Sequence, residues 1–412
     1  MYIRQSTIFT KTTKEAPKDE VSHNAELLTR AGFVHKEMAG VYSYLPYGLR
    51  VLRRIEGIIR EEMNALGASE ILMPALTPKE PWVKTGRWDG LDVLFRLEGA
   101  GNKEYALGAT HEEIVTPMLQ DFVQSYKDLP RAVYQIQNKF RNEPRAKSGL
   151  LRGREFLMKD LYSFHATQEE LDAYYMEAAR AYDRIYARCG LDAKMVEASG
   201  GTFSKFSHEY QVFTEFGEDL VYHCAKCGWY KNREILTMFD TCDTCQGPVT
   251  ENKAIEVGNI FPLGAKYSNA FDFTFVDADG KSQPVLMGCY GIGPSRVMGT
   301  IVEVHHDAAG MIWPAEVAPF AVHVVALSTD ESVMRKAQEI ALTLSEHGVE
   351  VLLDDRDMRA GEKFAESDLI GIPTRVVVSS KQLAAGTVEW KSRTSATAET
   401  IDESTLYSRL TV

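Results

Sequence analysis

Four cysteines occur as two C-x2-C pairs, Cys224/Cys227 and Cys242/Cys245, which are separated by fourteen residues. Each pair can turn two thiolates toward one metal ion, and a tetrahedral zinc site takes four ligands of this type. The segment 222–253 is therefore constrained to bring two separate turns together. A degenerate segment without metal is the alternative, and the intact paired spacing argues against it.

The composition is that of a folded protein without a membrane segment. The chain has 412 residues, of which 44% are hydrophobic and 25% are charged, which is ordinary for globular domains. This length predicts two or three domains. No run of about 18 apolar residues is present, which excludes a membrane span, and the N-terminus has no signal-peptide pattern. We therefore expect a cytoplasmic protein, whose paired cysteines hold a metal rather than form disulfides.

The charge is unevenly distributed along the chain. The formal net charge is −12, which disfavours a general nucleic-acid coat protein. Between Lys127 and Asp160, however, nine Lys and Arg residues stand against four Asp and Glu residues. A local basic stretch in an acidic chain is typical of an anionic ligand held at one place, although a solvated basic face would give the same counts.

Hydrophobic periodicity predicts the main elements. Apolar residues at helical spacing predict helices over 48–66 and 168–189, and an alternating pattern predicts an antiparallel strand pair over 132–140 and 154–162. After the prolines at 314–319, strands and helices alternate as βαβαβ, which indicates a separate small α/β domain.

Three separated segments then fit one arrangement of motifs. The first is the helix 48–66 followed by a strand that ends at Pro74 (motif one). The second runs from Phe140 through a Gly- and Arg-rich loop to Asp160 (motif two). The third is the glycine-rich turn that opens a helix at 288–296 (motif three). In order and spacing they resemble the signature motifs of class II aminoacyl-tRNA synthetases.

Longer matches narrow the resemblance to the bacterial-type prolyl-tRNA synthetases, over about residues 20–390. They are LGATHEE at 107–113, YQIQNKFR at 134–141, REFLMKDLYSFH at 154–165, MGCYGIG at 287–293 and VLLDDR at 351–356. The resemblance implies an α+β catalytic domain with a mixed, mainly antiparallel sheet and helices, and a C-terminal α/β anticodon-binding domain. We expect the catalytic domain over 1–221 and 254–314, the short zinc-ribbon-like insert over 222–253 and the anticodon-binding domain over 315–412.

The implied reaction is activation of proline by ATP, with Mg²⁺, and transfer of proline to its tRNA. Attack of a carboxylate on the α-phosphate brings two anions together, which requires cationic, bidentate donors already in place. We expect Arg141 to hold the α-phosphate and the substrate carboxylate, and Arg296 to contact adenine or the phosphate tail. The implied ATP-binding residues are Arg141, Glu143, Arg152, Phe156, Glu256, Asn259 and Arg296. The family more often has His at the position of Asn259.

The implied proline pocket must hold a secondary ammonium and a compact apolar ring. Glu112 is expected as the counter-charge of the imino nitrogen, and Arg141 as the partner of the carboxylate. Taken alone, Met158 and Tyr162 would be strand core and Cys289 a buried thiol. The full implied set is Thr110, Glu112, Arg141, Met158, Asp160, Tyr162, Phe261 and Cys289. His111 and His165 have no visible partner in the sequence, and we expect them to be structural.

The resemblance also implies partners. Asp355, Arg356 and Lys363 match positions that contact anticodon bases, although a charged surface loop would look the same. Motif one implies a homodimer. Relatives usually carry a large editing insertion between motifs two and three, where this chain has only the short cysteine segment, so we expect no self-editing of mischarged alanine.

Three rival interpretations stay open from the sequence. A non-enzymatic paralogue would be expected to lose the motif arginines, but Arg141, Arg152 and Arg296 are present. A related synthetase for threonine, serine, glycine or histidine is the second rival. A threonine enzyme would need its zinc ligands in the catalytic pocket, whereas these cysteines lie in a separate insert. A ligase that acts on free amino acids without tRNA is disfavoured by the anticodon-like domain.

Overall fold

The computed structural model describes residues 2–15, 22–144, 146–237 and 240–410. The chain forms two compact units. The larger unit contains Glu37–Val41 and Ile55–Thr300, and the smaller unit contains Met1–Lys36, Tyr42–Arg54 and Ile301–Val412. None of the described helices combines the length and apolar composition needed to cross a membrane.

The larger unit is built on one sheet, in which nine strands are described. Most neighbours run antiparallel; the parallel neighbours are the edge strand beside Arg131–Phe140 and the single pairing of Glu197 with Lys231. This confirms the expected mixed, mainly antiparallel sheet. In spatial order the strands are Phe206–Phe213, Ala193–Ser199, Tyr230–Asn232, Asp219–Cys224, Val249–Gly264, Leu286–Ile292, Glu155–His165, Arg131–Phe140 and Ser69–Glu70.

The predicted strand pair lies in this sheet, next to the edge strand Ser69–Glu70. Arg131–Phe140 pairs with Glu155–His165, with Phe140 opposite Glu155. Because successive side chains of a strand point to opposite faces, Met158, Asp160 and Tyr162 share one face. The residues between them lie on the other face.

That other face is covered by the helix Gln168–Arg188. The helix begins at Thr167, whose hydroxyl accepts the backbone N–H of Glu170 while the Glu170 carboxylate accepts the Thr167 N–H. Such a reciprocal cap contributes on the order of 1 kcal/mol. Its buried stripe includes Leu171 and Tyr182, and the Tyr182 hydroxyl accepts a hydrogen bond from the buried Lys159 Nζ at 2.7 Å. The helix thus covers one face of the sheet. On the opposite face, Tyr162 and Phe164 pack against Val115 and Leu119 of the helix Glu112–Gln120.

Shorter elements complete the larger unit. Its described helices other than Gln168–Arg188 are Lys79–Lys84, Arg87–Gly90, Glu112–Gln120 and Lys266–Ala270. Its small sheets pair Leu76–Pro78, Glu104–Leu107 and Arg96–Glu98, and Thr274–Val276 with Ser282–Pro284. A boundary between the units falls within each of Pro46–Ala65, Pro294–Val304 and the hairpin Val34–Met38/Val41–Tyr44.

The smaller unit is an α/β sheet domain, as expected for the C-terminal segment. The helix Glu331–Glu346 buries Val333, Ile340 and Leu344 against the sheet. The described strands, in spatial order, are Ile3–Arg4, Val351–Asp354, Val322–Ala326, Thr374–Val378, Thr387–Ser392 and Glu399–Asp402. The other described helices are His23–Arg30, Ala360–Ile370, Ser380–Ala385 and Glu403–Leu410.

The N-terminus is organised differently from the expectation. Ile3–Arg4 pairs in parallel with Val351–Asp354. These two residues therefore join the C-terminal sheet, whereas the expected catalytic domain included them. Backbone hydrogen bonding along a sheet edge accounts for this, because it satisfies strand donors and acceptors that would otherwise be unpaired. The four-part division of the chain stays a prediction.

Candidate active site

All fourteen residues predicted to bind proline or ATP line one cavity of the larger unit. They come from parts of the chain far apart in sequence and include members of motifs two and three. They are Thr110, Glu112, Arg141, Glu143, Arg152, Phe156, Met158, Asp160, Tyr162, Glu256, Asn259, Phe261, Cys289 and Arg296.

The floor of the cavity is the open face of the sheet. Tyr162 lies opposite Cys289, and Cys289 lies opposite Phe261, so one cross-strand row supplies three walls. In the next row Gly291 lies opposite Asp160. A Cβ placed on Gly291 would meet no atom closer than 3.9 Å. The glycine therefore leaves space above the sheet for a ligand.

Glu112 lines the inner end of the cavity and belongs to a buried cluster of charges with Arg87 and Glu113, which lie behind the lining. Glu112 lies at the start of the helix Glu112–Gln120, and its Oε2 accepts the Arg87 Nη1 at 3.3 Å. The same nitrogen donates to Glu113 Oε1 at 3.0 Å. The Arg87 side chain is 8% exposed, and both carboxylates are 0% exposed. Two buried acids thus share one guanidinium.

The excess of buried acids over the single guanidinium shifts the pKa values of the cluster. Burial raises the pKa of Glu113, and Glu112 raises it further, while Arg87 opposes both effects. Burial lowers the pKa of Arg87, but the two carboxylates outweigh it and leave that pKa above its ordinary value. With both acids ionised, the cluster carries one net negative charge, which favours a cationic group beside it.

Neutral donors also contact Glu112. The hydroxyl of Thr110 donates to Glu112 Oε2, and the Cys289 thiol donates to Oε1 at 3.2 Å. Burial, followed by Glu112, raises the pKa of Cys289 well above its ordinary value. Cys289 is therefore a neutral wall of the pocket and not a nucleophile.

Asp160 is the centre of a second buried network. Its Oδ2 accepts hydrogen bonds from Gln135 Nε2 at 2.9 Å and from the Tyr162 hydroxyl at 3.1 Å. Its Oδ1 lies 2.8 Å from the ammonium of Lys139, which is fully buried. Burial lowers the pKa of Lys139, and Asp160 opposes that effect.

This network reaches motif one through His111. Lys139 Nζ lies 2.6 Å from His111 Nδ1, and His111 Nε2 lies 3.0 Å from the carbonyl oxygen of Pro74. Burial and Lys139 lower the pKa of His111. A neutral ring with its proton on Nε2 satisfies both contacts. We expected His111 to be structural, and Lys139 and Pro74 are the two residues that its ring contacts.

The outer end of the cavity is cationic. Arg141 Nε donates to the carbonyl oxygen of Ala109 at 3.3 Å, and its guanidinium lies 5.3 Å from the ring centroid of Phe156. Burial and Arg296 lower the pKa of Arg141. Arg296 donates to the Glu256 carboxylate at 3.0 Å. The two guanidiniums repel each other, so an anion between them is stabilised.

Two further predicted residues have polar atoms available for contact. Arg152 Nη1 lies 3.4 Å from the Glu218 carboxylate, and 38% of its side chain is exposed. Asn259 Oδ1 is buried and has no hydrogen-bond partner among the described residues. A buried polar atom without a partner costs free energy, so a ligand donor is expected there.

Acidic side chains lie behind Glu256. Gln211 Nε2 donates to Glu209 at 2.8 Å and to Asp219 at 3.0 Å. Burial and the nearby Glu256 raise the pKa of Glu209 to about 8. Sequence analysis did not single out these residues.

The four paired cysteines meet at one end of the large sheet. Their sulfur atoms lie within 4.8 Å of one another, and Sγ atoms are 3.5 Å apart in the pairs Cys224/Cys245 and Cys227/Cys242. A tetrahedron with Zn–S bonds of about 2.3 Å has edges of about 3.8 Å. The donor set therefore fits one zinc ion.

The predicted anticodon residues lie in the smaller unit, where they make internal contacts. The Asp355 side chain is buried beneath Arg4, and Lys363 is 2% exposed with Nζ donating to the Ala326 carbonyl oxygen at 2.7 Å. Arg356 pairs with Asp354 and keeps 21% of its side chain exposed. The Asp355 carboxylate and the Lys363 ammonium are therefore engaged in internal contacts, and their contact with anticodon bases stays a prediction.

Sequence analysis missed Arg87, Lys139 and Phe203. Arg87 follows Gly86 and carries no recognisable pattern. Phe203 lines the cavity from a loop and packs on Phe261 at 4.8 Å between ring centroids. Lys139 had a usable signal, because the alternation of Arg131–Phe140 places it on the same strand face as Gln135.

Comparison with known proteins found two matching domain families. The family model for the class II tRNA synthetase core domain (G, H, P, S and T) matches residues 95–305, and the model for the anticodon-binding domain matches residues 321–411. The large sheet, the cavity and these two family matches together define a class II aminoacyl-tRNA synthetase. A prolyl-tRNA synthetase of Giardia lamblia, solved with prolyl-adenylate, shares the fold at a TM-score of 0.78 and 22% identity, over 92% of this chain and 74% of that one.

Curated relatives specify the family. A proline–tRNA ligase of Anaeromyxobacter sp. (strain K) is 34% identical over 554 aligned residues, covering 97% of this chain and 96% of the relative. A proline–tRNA ligase of Bacillus cereus (strain AH820) is also 34% identical, over 97% of this chain and 98% of the relative. The chain belongs to the proline–tRNA ligases, which activate proline with ATP and charge tRNA with it.

Proposed function

We propose that the cavity binds proline at its acidic inner end and ATP at its cationic outer end. One observation carries this proposal: fourteen residues chosen for these two ligands line the same cavity. The arrangement matches the chemistry, because a zwitterionic amino acid needs an anion for its ammonium and a cation for its carboxylate.

The inner pocket recognises the secondary ammonium and the ring of proline. Glu112 pairs with the ammonium, and the net negative charge of its cluster with Arg87 strengthens that attraction. Met158, Tyr162, Phe261 and Cys289 enclose the ring, which is buried from water at a gain of about 0.8 kcal/mol per CH₂ group. Asp160 holds Tyr162 in place.

The outer pocket orients ATP for attack. Arg141 bridges the proline carboxylate and the α-phosphate and holds the reacting atoms together. Adenine stacks on Phe156, Glu143 and Asn259 contact its edge, Arg296 covers it, and Arg152 binds the phosphate tail. Mg²⁺ accompanies the nucleotide and neutralises phosphate charge. Prolyl-adenylate then transfers its prolyl group to the 3′-terminal adenosine of the tRNA.

Proline-dependent ATP–pyrophosphate exchange tests the proposal across the twenty amino acids. Arg141→Ala should reduce exchange by about 10²–10³, the usual cost of removing a preorganised donor. Arg131→Ala is the matched control, because Arg131 begins the same strand, is exposed and does not line the cavity. Exchange within tenfold of wild type in Arg141→Ala would refute the assignment.

We propose that the cysteine insert holds one structural zinc ion. Four thiolates fill a tetrahedral shell and leave no open position for a catalytic water. The two turns support this geometry, since the residue after each pair, Gly228 or Gln246, has a left-handed φ of 78° or 56°. Zinc analysis of protein purified without added metal tests it, and a content near zero would contradict it.

We further propose that the protein does not edit alanyl-tRNA in cis. The aligned length of 554 residues exceeds the 412 residues of this chain, which supports the idea that relatives carry a large segment absent here. Deacylation of alanyl-tRNA by the purified protein should match the uncatalysed rate. Rapid deacylation would contradict the proposal.

We propose that the enzyme acts as a homodimer in the cytoplasm, where thiolate zinc sites persist. Leu72 and Leu76, which flank Pro74 of motif one, are 74% and 51% exposed. Exposed large apolar side chains of this kind are typical of interfaces. Sedimentation should give twice the chain mass, and Leu72→Glu should weaken the dimer.

A further inference from the structure

The smaller unit contains a cavity of about 560 Å³ between residues 4–12 and residues 355–358. This volume lies within the range of about 300–1,000 Å³ typical of small-molecule pockets, so a nucleotide base fits. Its lining is mainly polar, with Ile8 and Met358 as the apolar members.

The N-terminal segment, residues 4–12, is held firmly as one wall of this cavity. The strand Ile3–Arg4 pairs with Val351–Asp354. Gln5 is buried, and its Oε1 lies 3.0 Å from Nε2 of His323. Backbone pairing and a buried polar contact both fix the beginning of the segment, so Arg4 is preorganised for binding.

The segment changes which charges the cavity presents. Asp355 is 0% exposed at its side chain, and its carboxylate accepts Arg4 Nε at 2.6 Å and the Ser6 hydroxyl at 2.7 Å. Arg4 is 48% exposed at its side chain, and a guanidinium has five N–H donors in total. Lys11 is exposed on the same lining. The segment therefore covers one acid and displays two cations, on a lining that also contains Arg356, Asp357 and Glu366.

We propose that the N-terminal segment forms part of the anticodon-binding surface. Arg4 donates hydrogen bonds to the edge of an unstacked anticodon base, and Lys11 neutralises a neighbouring phosphate. Asp355 acts as the anchor that orients Arg4. This inference rests on the proposed charging of tRNA and adds residues 4–12 to a surface that sequence analysis placed only at 355–363.

Aminoacylation kinetics of the full-length protein test the inference. Arg4→Ala should raise the KM for a proline tRNA transcript about tenfold, as loss of a bidentate base contact does. It should also reduce discrimination against a transcript with one changed anticodon base. Lys11→Ala should raise the KM without changing discrimination and reduce the log–log salt slope by about one.

Lys14→Ala is the matched control, because Lys14 is exposed, lies on the same N-terminal stretch and does not line the cavity. Pyrophosphate exchange, which needs no tRNA, separates this inference from the proposed function: its absence in the wild type would refute the latter. KM values for Arg4→Ala and Lys11→Ala equal to that of Lys14→Ala would overturn the inference. If Arg4→Ala lowers the thermal stability, Lys11→Ala alone decides the outcome.

Discussion

Replacing Arg87 by methionine should destabilise the protein strongly, because it leaves two buried carboxylates without their shared partner. Arg87 donates to Glu112 at 3.3 Å and to Glu113 at 3.0 Å, and all three side chains are almost fully buried. Breaking a buried ion pair by removing one partner costs about 3–5 kcal/mol. For a unit of this size the melting temperature should fall by roughly 6–20 °C.

The compensating variant is Arg87→Met with Glu113→Gln. It removes one charge of each sign and restores the net charge of −1 that the wild-type cluster carries. If charge imbalance causes the loss, the double variant should recover part of the stability, with a coupling energy of roughly 0.5–3 kcal/mol. Glu113→Gln alone should cost less than Arg87→Met, because Arg87 keeps Glu112 as its partner.

Thermal unfolding and exchange kinetics together measure both effects. Arg87→Met should raise the KM for proline, since Glu112 loses its orienting donor, while the KM for ATP stays near wild type. Arg180→Met is the control, because Arg180 makes an exposed ion pair with Glu177, and such pairs contribute about 0–1 kcal/mol. Equal stability of Arg87→Met and Arg180→Met would refute the reasoning, as would a double variant no better than Arg87→Met.

Three other changes have clear expected outcomes. Gly291→Val should abolish proline-dependent exchange without unfolding the protein, because the new side chain fills space that is free of contacts closer than 3.9 Å; normal exchange would contradict this. Cys242→Ser should lose zinc yet retain exchange, because the cysteine site lies far from the cavity. Val249, which lies opposite Cys224, is seven residues before Glu256, or roughly 23 Å along the strand. Loss of exchange in the folded variant would contradict this prediction. Burial raises the pKa of Glu209 from 4.5 to about 8, so Glu209 contributes most to the stability of the fold at low pH. Stability should therefore fall from about pH 5 to about pH 8, and less steeply in Glu209→Gln; equal slopes would contradict this.

Local patterns predicted the elements, and motif order predicted most of the cavity. The helix Glu331–Glu346 and the strand pair around motif two follow directly from apolar spacing. The predicted strand before Pro74 is shorter than expected and ends at Glu70. The reason is that Met73 bonds to side-chain amides, with its N–H donating to Gln135 and its carbonyl accepting from Gln137.

Tertiary contacts between residues far apart in the sequence could not be predicted from local patterns. Arg87 meets Glu112 only in the folded chain, and a lone arginine after a glycine carries no pattern. The pairing of Ile3–Arg4 with Val351–Asp354 joins residues that are almost 350 positions apart in the sequence. Period-two alternation cannot be read from two residues, so neither this pairing nor the burial of Asp355 beneath Arg4 was predictable.

The cavity orients its ligands by a change of charge along its length. At the inner end, Glu112 and Glu113 outnumber Arg87, while Lys139 is already neutralised by Asp160. At the outer end, burial and the nearby Arg296 both lower the pKa of Arg141. An amino acid that enters ammonium-first gains attraction at both ends, whereas the reverse orientation places its carboxylate against buried acids. In the proposed function this orientation brings the carboxylate to Arg141, beside the α-phosphate that it attacks. The charge gradient that selects the ligand then also sets the direction of attack.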